Sequence, residues 1–295
     1  MILNVSGRCD IVAFYTPWFL KRIQEGFFDV RNPFHPNLIS RIYYDNVDAI
    51  VFCTKNPHPI LPYLKEIHKP ILFQITLTGY KNEIERGVSQ KSQVIKDIRE
   101  IAKIIGKENV VVRYDPIFLS PDYPVSYHIK AFRKICESLE GSISKIIISF
   151  LDEYQNVKKN QSILKSIPFE EKDYQLLGTS FSEIAHQHGI LVHTCFEDRN
   201  LVEYGLDMGE CISHELAYIM TGKKYPSWKA RKEKKCNCVQ MVDIGVYNSC
   251  SHFCKYCYAN YDEEKVLANM KNHNPNSSLL IGEILEEDII KERKK

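Results

Sequence analysis

Apolar positions along this chain follow two rhythms that take turns. Ile2 to Val5, Val47 to Cys53, Ile71 to Leu77, Asn109 to Tyr114, Ile143 to Phe150 and Gly189 to Thr194 are short, β-rich apolar runs, as expected of strands covered on both faces. Between them the apolar residues stand three and four apart. Val94, Ile95, Ile98, Ile101, Ala102 and Ile105 form one stripe of a helix over Val88 to Ile105, which Gly106 stops. Helices are also expected at Pro17 to Glu25, where Pro17 sits in the first turn and Gly26 at the end, from Pro57 to about Ile67, at Val125 to Leu139 and at Tyr174 to His188. A last strand, Val239 to Tyr247, and a last helix, Asp262 to Lys271, close the series. Apolar strands separated by helices predict an α/β fold whose parallel sheet is covered by helices, either a partial or full (β/α) barrel or a doubly wound sheet.

Polar residues gather just past the predicted strand ends: Arg8 and Asp10, Lys55 and Asn56, Arg113 and Asp115, Asp152, and Glu197 and Asp198. In parallel α/β folds that rim is where ligands bind. Residues 1–198 are therefore expected to form the main part of the barrel. A cysteine-containing basic insertion follows at 199–238, then the strand, loop and helix of 239–272, and a charged tail at 273–295.

Composition removes several classes of function. A chain of 295 residues with 44% hydrophobic content can bury a full core, so no metal is needed merely to hold it together. Lys and Arg number 39 against 37 Asp and Glu, which leaves no global field to draw in nucleic acid or an anionic membrane. The first ten residues lack a charged and then apolar leader, and no apolar run approaches a membrane span, so a cytoplasmic protein is expected. In that reducing setting ten cysteines suggest metal binding rather than a disulfide framework. Seven of them, Cys195, Cys211, Cys236, Cys238, Cys250, Cys254 and Cys257, lie in the last third; Cys136 reads as ordinary helix packing.

The strongest chemical signal is Cys250-Ser251-His252-Phe253-Cys254-Lys255-Tyr256-Cys257. Three thiolates on one short loop can hold three irons of a [4Fe-4S] cube and leave the fourth open to a small ligand, whereas a structural metal site closes its coordination. Cys254-x2-Cys257 alone is shared with zinc ribbons and redox motifs, so the contrasting reading is a zinc-binding interaction or nucleic-acid-binding module with structural cysteines. Cys250, the aromatic Tyr256, the leading strand and the following helix make the composite more specific.

That composite resembles the radical S-adenosylmethionine (radical SAM) superfamily. The resemblance implies an oxygen-sensitive enzyme in which Cys250, Cys254 and Cys257 ligate a [4Fe-4S] cluster whose open iron binds SAM, with Tyr256 near the adenine. Reductive cleavage of SAM would give methionine and a 5'-deoxyadenosyl radical that takes hydrogen from an unknown substrate, using a low-potential donor such as flavodoxin or ferredoxin. In most members the cysteine loop follows the first strand, but here it comes last, so the chain looks circularly permuted, with Val239 to Tyr247 pairing beside Ile2 to Val5. Ser6 and Arg8 in Val5-Ser6-Gly7-Arg8 then take, by position, the place of the element that holds the SAM amino group. At a closer level the chain resembles a prokaryotic domain-of-unknown-function family with a C-terminal CxxxCxxC loop. That likeness rests on Gly7-Arg8-x-Asp10, Phe52-x-Thr54-Lys55-Asn56-Pro57, Arg113-Tyr114-Asp115-Pro116-Ile117, Cys236-x-Cys238 and Asp243-Ile244-Gly245, among others.

Other candidates stay open. Arg113 could hold the SAM carboxylate and Asp115 a ribose hydroxyl or the substrate, or the two could form an internal rim salt bridge. Cys195, Cys211, Cys236 and Cys238 could close an auxiliary [4Fe-4S] cluster or a zinc site, or bind no metal. His186, His188 and His193 lack a metal-ligand spacing. The run Lys223, Lys224, Lys229, Arg231, Lys232, Lys234 and Lys235, interleaved with Tyr225 and Trp228, reads as a solvated connector before a phosphate-contacting surface.

Overall fold

The computed structural model describes residues 1–195, 197, 199, 201–228 and 237–294. Its frame is one eight-stranded sheet in which every neighbouring pair is parallel. In chain order its strands are β1 (Ile2–Val5), β4 (Ala49–Thr54), β5 (Ile71–Thr76), β6 (Val110–Ile117), β7 (Lys145–Phe150), β8 (Leu191–Thr194), β9 (Asp207–Met208) and β10 (Met241–Asp243), and in space β10-β1-β4-β5-β6-β7-β8-β9. The last strand lies beside the first, with Ile2 opposite Met241 and Asn4 opposite Asp243. β10 and β9 are the two edges and no pairing joins them among the described residues, so the sheet is open and the fully closed barrel is not formed.

Side chains alternate across each strand, and the two faces are buried differently. Leu3, Val5, Ile50, Phe52, Phe73, Ile75, Val112, Tyr114, Ile146, Ile148 and Val242 belong to the main core. That core is completed by residues of α1 (Ile11–Phe14), α2 (Thr16–Glu25), α3 (Lys91–Ile105), α4 (Val125–Leu139) and α7 (Glu171–Gln187). The other face starts apolar, where Ile2, Ala49, Val51, Leu72, Val111 and Ile147 pack with Ile212, Ala217 and Val239. Two residues further along, the same face turns polar: Asn4, Cys53, Gln74, Arg113 and Ser149, with Asp243 on β10. Helix α8 (His214–Thr221) contributes Ala217 to the apolar floor and leaves the strand-end rim to the polar row.

Several expected elements change on inspection. The segment past Pro57 is a 3-10 helix, His58–Glu66, because prolines at 57, 59 and 62 withhold the amides an α-helix needs. Helix α7 starts earlier than expected, where Glu170 and Asp173 form a reciprocal capping box. The last strand is three residues long rather than nine; the remainder of 239–247 is loop. A second sheet of three strands was not anticipated: β2 (Phe27–Arg31) pairs antiparallel with β3 (Leu38–Tyr43), and β11 (Ile289–Glu292) adds to β3 in parallel. Residues 273–294 are therefore docked rather than a free tail: Trp18 donates its indole N–H to the Ser277 carbonyl at 2.9 Å, and Arg31 pairs with Asp288. α5 (Gln155–Lys159) and α6 (Gln161–Leu164) are short, and α9 (Glu263–Lys271) is the expected last helix, capped by Asp262.

Candidate metal centre

The cysteine loop leaves the sheet through Asp243. Its carboxylate accepts from the Asn4 amide at 2.9 Å, the Ser6 hydroxyl at 2.8 Å, and the backbone N–H groups of Gly7 at 2.7 Å and Gly245 at 2.8 Å, so one side chain ties the ends of β1 and β10 together. Gly245 is required there, since a Cβ would lie 1.9 Å from the Ser6 hydroxyl. Asn248 then turns the chain in the left-handed region, φ 53°, which asparagine tolerates better than most residues. Its side-chain oxygen accepts from the N–H groups of Tyr261 and Asp262 and so closes the loop at its base. Asn260 does the same inside: its oxygen accepts from Ser249 N–H at 2.8 Å and Cys250 N–H at 2.9 Å, while its amide donates to the Arg8 carbonyl.

Two other segments clamp the loop from outside. Residues 84–87 run antiparallel to it: Lys255 N–H donates to the Ile84 carbonyl at 2.9 Å and Gly87 N–H to the His252 carbonyl at 2.8 Å. Gly87 comes so close that a Cβ would stand 2.2 Å from the Ser251 carbonyl oxygen. From α5 and the start of α6, Asn156 and Asn160 donate to the carbonyls of Cys257 and Lys255, each at 2.8 Å. His252 is buried with Nε2 2.8 Å from Asp10 and Nδ1 3.0 Å from the Gly87 carbonyl; Asp10 also caps α1 and accepts from Lys55 N–H. The Tyr256 hydroxyl donates to buried Glu85, which also takes Lys55, Lys91 and Thr78.

Cys250 and Cys254 are buried free thiols and Cys257 is partly exposed. Burial pushes the thiols of Cys250 and Cys254 up, the latter to about 12; Cys257 and Cys254 add to the rise at Cys250, and Cys257 adds to that at Cys254. Lys55 acts the other way on Cys254. Among the described residues no three His, Cys, Asp or Glu side chains are grouped about a single ion. A cube asks for something different: three thiolates on three separate irons, on a backbone rigid enough to hold them apart. The loop meets the chemical part of that demand, with three soft thiols on a backbone bonded to neighbouring segments. An open groove of about 490 Å³ runs along the loop and reaches Cys254 between Asn156, Lys159 and Glu263.

Ser6 and Arg8 stand beside the loop, where Arg8 reaches the Gly245 carbonyl at 3.4 Å and lies over the Tyr247 ring. Arg113 and Asp115 form the internal pair: Nε is 2.9 Å from the Asp115 carboxylate, and Nη1 reaches Gln74 and, at 3.1 Å, the Cys211 sulfur. Cys195 and Cys211, left open between an auxiliary cluster, zinc and no metal, are paired as a disulfide with Cα atoms 6.3 Å apart. The fold itself brings them together, since Cys195 extends β8 and Gln74 on the inner face holds the Cys211 carbonyl. Cys238 is buried one residue from Val239, whose N–H donates to the Ile212 carbonyl. Cys236, Asp198, Lys229, Arg231, Lys232, Lys234 and Lys235 lie outside the described residues. Glu197 accepts from Phe150 N–H and Asp152 from the Tyr154 hydroxyl, so both are tied to the backbone turn after β7. Sequence reasoning missed Glu85, Asn260, Asn156 and Asn160. Of the residues it did not assign, only Asp243 carried a signal, as part of Asp243-Ile244-Gly245.

The fold and site define a class: an open parallel α/β sheet with a clamped three-thiol loop on its strand-end rim. The chain belongs to the family described as Domain of unknown function (DUF1848), whose model matches residues 2–259 and so includes the whole cysteine loop. No curated protein matches the chain. Among the described residues no helix is long and apolar enough to cross a membrane.

Proposed function

We propose that this protein is a radical SAM enzyme with a circularly permuted, partial (β/α) barrel, acting in a reducing cytoplasm on a substrate whose identity is open. The observation that carries the reading is the pairing of β10 with β1, which sets a Cys-x3-Cys-x2-Cys loop at the carboxyl ends of a parallel sheet. Cys250, Cys254 and Cys257 would hold a [4Fe-4S] cluster. When bound with SAM, that group supplies one electron and, through it, a 5'-deoxyadenosyl radical.

The chain's own residues provide the rest. Asp243, Asn248 and Asn260 fix the loop backbone, and His252 wedged between Asp10 and Gly87 shields its inner side. The polar row of Asn4, Gln74, Arg113, Asp115 and Ser149 beside it gives hydrogen-bonding groups for SAM and substrate, with Ser6 and Arg8 at the edge nearest the loop. Arg113 would act there as a neutralised pair with Asp115, offering its remaining N–H groups rather than a net charge. A flavodoxin or ferredoxin would supply the electron. An auxiliary cluster at Cys195, Cys211, Cys236 and Cys238 requires the Cys195–Cys211 bond to be reduced first.

The test is anaerobic reconstitution with iron and sulfide, reduction, and addition of SAM. Formation of 5'-deoxyadenosine that disappears in Cys254→Ala supports the reading. Zinc bound in place of iron, with no 5'-deoxyadenosine from the reduced protein, supports the structural-cysteine alternative.

A further inference from the structure

Below Tyr256 lies an ionic node whose charges do not cancel. Glu85, 2% exposed, is the carboxylate that both lysine ammoniums of the node share. Lys55 Nζ stands 2.9 Å from one carboxylate oxygen and Lys91 Nζ 2.7 Å from the other, while Thr78 and the Tyr256 hydroxyl donate as neutral groups. Two cations against one carboxylate leave a net positive charge. The Lys55 side chain is 14% exposed and its Nζ lies 5.5 Å from the centre of the Tyr256 ring. Glu85 itself lies opposite Cys254 in an isolated antiparallel bridge whose hydrogen bonds are made by Lys255 with Ile84 and by Gly87 with His252.

A buried node of this kind is expensive to build. The loop's own fastening does not call for its charge, because Asn156, Asn160, Asn260, Ile84 and Gly87 already satisfy its backbone. Thiolates bound to a cube carry net negative charge, and a largely buried cation beside the loop that holds them is poorly screened by salt. Adding an electron makes the centre more negative, so a fixed cation favours the reduced state and a fixed anion disfavours it.

We propose that Lys55 is the built-in counter-charge of the thiolate centre at Cys254, and that Glu85 sets how much of that charge the centre feels. Lys55 is a positioning and electrostatic residue; it supplies no proton and touches no substrate. This inference rests on the proposed function, and its test separates the two.

The experiment is a potentiometric titration of the reconstituted full-length protein without SAM, followed by the spectrum of the reduced cluster. Lys55→Gln is expected to shift the midpoint to more negative potential and Glu85→Gln to more positive potential, while Lys55→Arg stays near the parent. Opposite signs at two residues that touch each other are what a purely structural role would not produce. If the buried variants fail to take up iron, Lys91→Gln, at a half-exposed position, carries the test through a smaller negative shift. A protein that binds no cluster at all sinks both this inference and the function beneath it. A cluster whose midpoint ignores these substitutions, or moves the same way in Lys55→Gln and Glu85→Gln, overturns the counter-charge alone.

Discussion

Two groups of cysteines sit in the last third of the chain, and the fold treats them in opposite ways. Cys250, Cys254 and Cys257 stay unpaired within eight residues, on a loop fastened by Asn260 and, through it, by the Arg8 backbone, by the 84–87 segment and by Asn156 of α5. Cys195 and Cys211 come from separate segments sixteen positions apart, and their sulfurs are paired with each other. One loop uses hydrogen bonds to fix the backbone that carries its thiols. The other pair is held by reaching each other. Rigid separation is what a multi-iron ligand set needs, which is why the proposed centre is assigned to the loop rather than to the pair.

The comparison can be broken most sharply at a ligand. Cys254→Ala should abolish cluster uptake at the loop, seen as loss of iron, sulfide and visible absorption, whereas Cys195→Ser should leave the loop's iron in place. Next in size is Gly87→Ala. Its methyl group meets the Ser251 carbonyl at 2.2 Å, so the 84–87 clamp has to move off the loop. A loss of about 2–3 kcal/mol in urea unfolding, with reduced iron uptake, is expected. Reducing the disulfide, or Cys195→Ser, should cost a similar or slightly smaller amount, about 2–3 kcal/mol for a closed loop of this length, without touching the loop's spectrum.

The smallest effect is a pH slope. His128, on α4, has Nδ1 2.9 Å from the Tyr114 hydroxyl and Nε2 2.9 Å from the Phe118 carbonyl, and burial pushes its imidazole down to about 4. Its folded value lies below the ordinary 6.5, so the unfolded chain takes up a proton that the folded one refuses. Stability from this group is complete above pH 6.5 and is lost as pH falls from 6.5 towards 4, at most about 3 kcal/mol. His128→Gln should flatten that slope in unfolding curves. The disulfide side should answer to reductant and not to this pH window.

What the sequence revealed follows the same division. The cysteine loop was legible because its three thiols are local and their spacing is the signal. The parallel order was legible too, since Ile71 to Leu77 and Ile143 to Phe150 read as buried runs, and even the place of the last strand beside Ile2 to Val5 could be anticipated. β2, β3 and β11 were not. Phe27–Arg31 is short and mixes charge with aromatics, and Ile289–Glu292 is exposed and follows acidic residues, so neither carries a clear period. Glu85 lay hidden in the turn-rich stretch between Leu77 and Val88, where no spacing hints that a carboxylate will be buried under Tyr256. Asn156, Asn160 and Asn260 bring no chemistry of their own; their role is to meet backbone groups that only the fold presents. The disulfide was missed for the same reason, because Cys195 and Cys211 are neighbours only in space.

The central claim is that the clamped loop, and not the disulfide pair, carries an iron-sulfur centre. The most direct measurement is iron and acid-labile sulfide per chain after anaerobic reconstitution, with electron paramagnetic resonance of the reduced protein, comparing the parent with Cys250→Ala/Cys254→Ala/Cys257→Ala and with Cys195→Ser/Cys211→Ser. The account predicts that the first variant loses about four irons per chain and the reduced-cluster signal, while the second keeps both. Iron and signal that survive the first set of substitutions, or vanish only with the second, would contradict it.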